Sequence, residues 1–356
     1  IMASIIIITQ KVDENDDLLG SFIGWLGEFA KYFDRVRVIT LAQGKHHLPA
    51  NVSVHSLGKE VGRSKLFQFF KLYYLLIKYV PTSAGVFAHM SPIFAIAAAP
   101  VAGIFGKKLI LWYLHRNLTF KLKLASLLSD NVVTASKESL DLRNNRILEL
   151  GHGIDVDFFR APRSWVGESA KPFNILSVGR ISPIKDYETL IQAAGVLKKQ
   201  GLDFKIRIVG RPVMKNDFGY FESLKQLVSK QNLADKIEFS GRLPYRKMPE
   251  IYKDADLVVN LAPKGGIDKA VLEAMAAGAL VLTSNWAFRR YFRQYAYRLV
   301  FEHKNQRDLV EKITALNALS PAEKHQISDF LVAAVAKAHS LEILINNITR
   351  LYKGIV

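Results

Sequence analysis

Two groups of residues in the second half of the sequence have the types and spacing for anion chemistry. The first lies in FNILSVGRISPIKD (Phe173 to Asp186), where Gly179 closes an apolar run and Arg180 and Lys185 bracket a Pro-containing loop before a helical pattern that starts at about Tyr187. Glycine lets the backbone approach a ligand closely, and the two cations can neutralise two phosphates from one loop. The second is DKAVLEAMAAGALVLTSN, from Asp268 to Asn285. Asp268 stands where an N-cap would satisfy free backbone N–H groups, Lys269 to Ala277 is rich in helix formers, and Gly278 stops the helix. Glu273 falls in its second turn, as a buried carboxylate candidate. Cations after a strand can be merely solvated, and Glu273 can be an ordinary surface residue of a βαβ unit. The bracketing of a strand-to-helix loop, at the edge where helix N-termini favour phosphate, argues for a ligand site.

Such groups need a sheet edge to hold them. Short apolar runs recur between longer amphipathic ones: Ser4 to Thr9, Val36 to Leu41, Val52 to Ser56, Gly85 to His89, Lys108 to Tyr113 and Asn131 to Ala135. The pattern pauses over Gly151 to Lys171, which is glycine- and proline-bearing with little periodicity. It restarts with Phe173 to Val178, Lys205 to Val209, Lys236 to Ser240, Leu257 to Leu261, Ala279 to Thr283 and Arg298 to Phe301. Alternation at this spacing predicts parallel, doubly wound sheets. The expected fold class is α/β, with two Rossmann-like domains facing each other across a cleft. The expected boundaries are 1–155 for the first domain, 156–171 for a linker, 172–338 for the second domain, and 339–356 for a closing helix that packs back toward the first.

Composition narrows the function classes. The chain has 356 residues, 49% hydrophobic and 23% charged, which is the make-up of a globular protein with room for two cores. Cysteine is absent, so disulfides, thiolate catalysis and cysteine-ligated metals are excluded. The formal charge of +17 favours anionic partners: nucleotide diphosphates, acidic lipid headgroups or nucleic acid. Nucleic acid has charge alone in its favour, since no RNA- or DNA-binding motif is present. The opening IMASIIIITQ lacks a basic flank and reads as a first strand rather than a leader, and the uncharged run Ile93 to Phe105 is too short to span a bilayer. A cytoplasmic protein is expected, peripheral at the inner face of the cell membrane if it meets lipid at all.

The segments SVGRISPIKDYETLIQA, FSGRLPYRKMPEIYKDADLVVN and DKAVLEAMAAGALVLTSN together resemble the C-terminal half of glycosyltransferase family 4, whose members have the GT-B fold. The similarity runs from Phe173 to about Asn285, and a closing helix around His339 to Tyr352 fits it. The first half resembles the family more loosely, through GVFAHMSP, LWYLHRN and GHGIDVDFF. The resemblance implies a retaining enzyme that moves a sugar from a nucleotide-diphosphate sugar to a glycan or lipid-linked acceptor, with no cofactor and no metal. By the same resemblance, Arg180 and Lys185, beside Gly179, match the pair that grips the donor diphosphate. Gly241, Arg242 and Leu243, in GRLP, match the loop against the base. Gly265, Gly266, Ile267, Asp268 and Lys269 line the donor, and Glu273 matches the second Glu of the E-x7-E motif, at the ribose. The first Glu of that motif falls at Gly265, a departure that leaves Asp268 or a backbone group to take over its role, or a sugar recognition that differs. Cations fixed at the leaving diphosphate suit this chemistry, in which charge develops as the anomeric carbon becomes oxocarbenium-like. A nucleotide-sugar 2-epimerase of the same fold, or a silent nucleotide-sugar binding protein, are the competing readings.

On the acceptor side, His89 and His115 each follow an expected strand, and His115 is the better candidate for contact with the transferring sugar; a structural histidine is the alternative. His152 in GHGID reads as part of the hinge. Gly20, in LLGSF, resembles the glycine loop that approaches the donor phosphate, without the family's second glycine. The cluster Asp13, Glu14, Asn15, Asp16 and Asp17 fails as a calcium loop, because Leu18 and Gly24 occupy the positions that require Gly and Glu. Phe67, Phe69, Phe70, Tyr73, Tyr74 and Tyr79, interspersed with Lys65, Lys71 and Lys78, read first as a core helix with solvated lysines. With Lys107, Lys108, Lys121 and Lys123, they read second as a surface for docking on an anionic membrane.

Overall fold

The computed structural model describes residues 4–115, 118–140, 142, 145–160, 165, 172–263 and 265–355. They form two units, one of 1–155, 244–246 and 339–356, the other of 156–243 and 247–338. In the first unit the strands are β1 (Ile5–Val12), β2 (Val36–Gln43), β3 (Val52–Ser56), β4 (Gly85–His89), β5 (Lys108–Trp112), β6 (Asn131–Thr134) and β7 (Ile147–Glu149). They pair in parallel in the order β3-β2-β1-β4-β5-β6-β7. The second unit holds β8 (Phe173–Val178), β9 (Phe204–Val209), β10 (Ile237–Gly241), β11 (Leu257–Asn260) and β12 (Leu280–Thr283), also parallel, in the order β10-β9-β8-β11-β12.

The helices are α1 (Phe22–Ala30), α2 (Lys65–Tyr79), α3 (Pro92–Ile104), α4 (Phe120–Leu128), α5 (Val156–Phe159), α6 (Tyr187–Lys199), α7 (Lys215–Lys230), α8 (Met248–Asp254), α9 (Lys269–Ala276), α10 (Arg289–Phe292), α11 (Ala296–Leu299), α12 (Gln306–Asn317), α13 (Pro321–His339) and α14 (Leu341–Lys353). In the first unit, β1 shows why an apolar run becomes a central strand. Its four isoleucines are buried and alternate between two cores, Ile6 and Ile8 under α2, α3 and α4, Ile5 and Ile7 under α1 and α14. Side chains of period two reach both faces, and each such burial contributes about 1.5–3 kcal/mol. Residues 339–356 belong to this unit. Tyr352 donates its hydroxyl to the Val86 carbonyl at 2.8 Å, and a Cβ on Gly85 would meet the Tyr352 ring at 2.5 Å, so β4 needs a glycine there to admit α14.

Four sequence expectations change. Arg298 to Phe301 is not a strand: Ala296–Leu299 is helical, and only Val300 bridges to Thr283. A run this short carries too little periodicity to separate helix from strand. The three-residue β7 escapes notice for the same reason. The linker expected at 156–171 begins as helix α5, whose Phe159 is fully buried and edge-on to Tyr252 at 5.7 Å. Most of the remaining linker positions lie outside the described residues. Finally, α2 is a core helix on one face only. It buries Leu72, Leu75 and Leu76, while Phe67, Phe69, Phe70, Tyr74 and Ile77 are exposed.

Candidate active site

The strands of the second sheet all end on one edge, and the loops that leave it carry the residues singled out from the sequence. Beyond β8 come Gly179, Arg180 and Lys185; beyond β9, Gly210; at the end of β10, Gly241; beyond β11, the 261–268 loop; beyond β12, Ser284 to Trp286. The β8 and β9 loops lie against each other. Gly179 N–H donates to Val209 O at 3.0 Å, Ile181 N–H to Arg211 O at 3.0 Å, and Gly210 N–H to Gly241 O at 2.8 Å. A Cβ on Gly210, at φ +151°, would sit 1.9 Å from the Gly179 carbonyl, so this approach admits only glycine.

Asp268 is the hub. It caps α9, with Oδ1 accepting from Ala270 N–H at 3.2 Å. Its Oδ2 accepts from Lys185 Nζ at 2.5 Å and from Asn260 Nδ2 at 2.9 Å. Burial alone would push this carboxyl up, but Lys185, Asn260 and the Ala270 N–H outweigh it and hold Asp268 below the usual carboxylate range. Burial, with the same carboxylate added, raises the Tyr187 hydroxyl well above its ordinary value, and that hydroxyl donates to Gly179 O at 3.2 Å. A chain of bonds continues across the edge. Thr283 Oγ1 donates to Asn260 Oδ1 at 3.2 Å, Asn285 N–H to Thr283 Oγ1 at 3.1 Å, and Asn285 Nδ2 to Gly266 O at 3.2 Å.

The cations differ in freedom. Lys185 is committed to Asp268, and only 18% of its side chain is exposed. Arg180 is 43% exposed, and its Nε lies 3.8 Å from Asp217, a carboxylate already accepting from Val213 and Met214 N–H. An anion at this edge therefore meets Arg180 directly and must share Lys185 with Asp268. One turn into α9, the Glu273 carboxylate is buried, accepts from Tyr252 OH at 3.1 Å and faces Lys269 Nζ at 3.1 Å. The Lys269 contact is an ion pair without hydrogen-bond alignment, so Oε1 keeps an unfilled acceptor direction in a buried place. Gly265 has φ +155° and open space where a Cβ would stand. Gly241 is left-handed at φ +66°, turning the chain toward Arg242 and Leu243. Ile267 is buried beneath the loop. Among the described residues, no three His, Asp or Glu side chains converge so as to hold a metal ion.

Residues 163–328 match the family Glycosyl transferases group 1. That match falls almost wholly in the second unit and covers less than half of the chain. Over 139 residues it is 32% identical to WcaL of Escherichia coli K12, a protein assigned as a glycosyltransferase of colanic acid biosynthesis, covering 37% of this chain and 32% of that one. Over 140 residues it is 28% identical to a D-inositol 3-phosphate glycosyltransferase of Paenarthrobacter aurescens, covering 37% and 33%. The chain thus spans about a third of the length of the curated relatives it matches. The fold is that of the GT-B glycosyltransferases. Anabaena HepE, solved with UDP and glucose, aligns over 99% of this chain and 100% of its own at TM-score 0.74 and 18% identity. Sucrose-phosphate synthase of Thermosynechococcus elongatus aligns over 99% of both at TM-score 0.69 and 16% identity.

The first unit holds four other candidates: His89, His115, His152 and Gly20. His89 ends β4 in the core, stacked on Phe22 at 3.8 Å with Nδ1 3.0 Å from Thr9 Oγ1, which is the structural-histidine alternative. His115 lies beyond the end of β5, exposed, its ring edge-on to Tyr113 at 5.4 Å; its neighbours Arg116 and Asn117 fall outside the described residues. His152 is buried, and its N–H donates to His339 Nδ1 at 3.2 Å. Gly20 is tucked into its own loop, where a Cβ would meet Asp16 O at 2.4 Å. The acidic residues ahead of it are internally paired, Lys11 lying 2.9 Å from both Asp13 and Asp16.

Proposed function

We propose that this protein is a retaining glycosyltransferase that moves a sugar from a nucleotide-diphosphate sugar to a glycan or lipid-linked acceptor without a metal ion. The observation that carries this reading is the joining of Arg180, Lys185, Asp268 and the α9 N-terminus on one sheet edge, with buried Glu273 one turn further on. Retention rests on the resemblance to family 4, and the binding of UDP and glucose by HepE supports a nucleotide-sugar partner. In transfer, the bond from the anomeric carbon to the diphosphate breaks as the acceptor hydroxyl oxygen bonds to that carbon, negative charge builds on the diphosphate, and the departing diphosphate oxygen takes up the acceptor's proton. Arg180 and Lys185 are placed to meet that charge, each preorganised group contributing about 3 kcal/mol. Glu273 Oε1 offers its unfilled acceptor direction to a ribose hydroxyl, and the loop at Gly241 to Leu243 lies where the base would rest.

A thermal-shift panel of UDP-, GDP-, ADP- and dTDP-sugars tests this directly. A bound donor at 100 times its Kd stabilises by about 2.7 kcal/mol, and no response to any of them would refute the reading. A 2-epimerase would convert the donor with no acceptor present, whereas a transferase would at most hydrolyse it slowly.

The partner surface belongs to the same reading: the protein works as a peripheral protein at the inner face of the cell membrane. From Val61 to Ser129 the sequence has no Asp or Glu and nine Lys or Arg. This stretch builds α2, α3 and α4, which pack side by side over one core and expose Phe67, Phe69, Phe70, Tyr74, Ile104 and Phe120. Aromatic side chains among cations, without a single carboxylate, match an anionic bilayer surface. No helix among the described residues is long and apolar enough to cross a membrane. Flotation with vesicles is expected to recover the protein only when anionic lipid is present, and less in high salt. Equal behaviour with neutral and anionic vesicles would refute the surface.

A further inference from the structure

Trp286 stands exposed at the same sheet edge. It opens the turn that follows β12, and 55% of it is exposed, whereas Trp25 is 5% exposed and Trp112 1%. A tryptophan is an expensive side chain to leave in water, and this one is not loose. Its turn is capped by Asn285, whose Oδ1 accepts from Ala287 N–H at 3.1 Å while Nδ2 holds the Gly266 carbonyl at 3.2 Å. Through Thr283 and Asn260 the same chain of bonds reaches Asp268 and Lys185. Arg289 stacks on the indole, its guanidinium carbon 4.2 Å from the ring centroid, which fixes the ring's attitude and makes the pair cationic. From Ala274 to Phe301 there is no acidic residue and four arginines. Beside this platform lies the Gly265–Gly266 loop, with open space at Gly265 and no side chain to bond a ligand.

We propose that Trp286, braced by Arg289, is a stacking subsite for the pyranose ring of the donor, serving by ring contact where Gly265 supplies no carboxylate. The inference rests on the nucleotide-sugar reading above and deepens it to sugar recognition. Stacking takes an apolar face of C–H bonds and forms no directional bond to a hydroxyl, so recognition follows the face that the pyranose presents to the indole. Nor does a carboxylate at position 265 repel an acidic sugar, and Arg289 attracts one, so a uronic acid donor binds at least as tightly as its neutral counterpart.

The test uses the full chain and the nucleoside diphosphate that binds in a panel of UDP, GDP, ADP and dTDP, with and without its glucose, galactose and glucuronate esters. Affinity is read by calorimetry, and ring contact by tryptophan fluorescence. Sugar esters are expected to quench more than the bare diphosphate, with the sugar's added affinity lost about fivefold to tenfold in Trp286→Ala and largely kept in Trp286→Phe, by the strength of ring stacking on an aromatic. Affinity for the bare diphosphate is expected to be the same in all three proteins. An unchanged ratio of sugar-ester to diphosphate affinity in Trp286→Ala overturns the subsite while leaving the donor-site reading intact. Failure of every diphosphate to bind overturns both.

Discussion

Replacing Asp268 by Asn separates what this residue does for the fold from what it does to Lys185. An asparagine oxygen can still cap α9 through the Ala270 N–H, since Asn and Asp are comparable N-caps. The ion pair to Lys185 at 2.5 Å is lost, and one amide oxygen cannot also serve Asn260. A hydrogen bond to a charged group contributes about 1.5–3 kcal/mol. The larger penalty of a fully buried pair does not apply, because the two side chains keep 18% and 20% exposure. A loss of about 2 kcal/mol, at about 2–4 °C per kcal/mol for a domain of this size, lowers Tm by roughly 4–8 °C at pH 7. The sign with pH follows from the depressed carboxyl of Asp268. Its contribution is complete above the unfolded value near pH 4 and vanishes as pH falls through the lower folded value. The Tm gap between native protein and variant should therefore begin to narrow below about pH 4 and be smaller at pH 3.5 than at pH 7. Lys185, released from its partner, should bind a nucleoside diphosphate several-fold more tightly at pH 7. Scanning calorimetry at pH 7 and pH 3.5 and a diphosphate titration check both halves. A Tm gap that is constant with pH, or a variant that binds diphosphate more weakly, would contradict this role of Asp268.

Other substitutions probe separate parts of the edge. Glu273→Gln keeps the shape but loses the pairing with Lys269 and the charged acceptor for Tyr252; nucleotide affinity should fall about tenfold by calorimetry, as expected for a charged hydrogen bond. Gly210→Ala should destabilise by more than about 3 kcal/mol in urea denaturation, because its Cβ would lie 1.9 Å from a carbonyl, whereas Gly265→Ala, with open space, should cost about 1–2 kcal/mol for its φ alone. Phe67→Ser with Phe70→Ser should leave Tm and diphosphate binding unchanged, both side chains being exposed, while abolishing flotation with anionic vesicles.

The strands were legible because a parallel sheet buries both faces and so writes continuous apolar runs; β3, β4 and β8 fall on the expected residues. Charged residues beside a glycine at a strand end were legible too, and Gly179, Arg180, Lys185, Asp268 and Glu273 do share one edge. What a sequence does not display is who already holds whom. The pairing of Lys185 with Asp268 spans 83 positions, and the Asn260–Thr283–Asn285 bridge lies in strand ends that read as merely polar. The one signal was Asn260 closing an otherwise apolar β11. The exposure of α2 was misjudged because aromatic residues at helical spacing describe a core face and a docking face equally well.

Titrating the native protein and Arg180→Ala with the donor selected from the thermal-shift panel decides whether this edge binds the diphosphate of a sugar nucleotide. Arg180 is 43% exposed and bears little on folding, so its removal isolates binding. The prediction is saturable donor binding by the native protein and at least a tenfold weaker Kd in the variant at unchanged Tm, about 1.4 kcal/mol of lost charge-assisted contact. Equal affinity in the two proteins would contradict it.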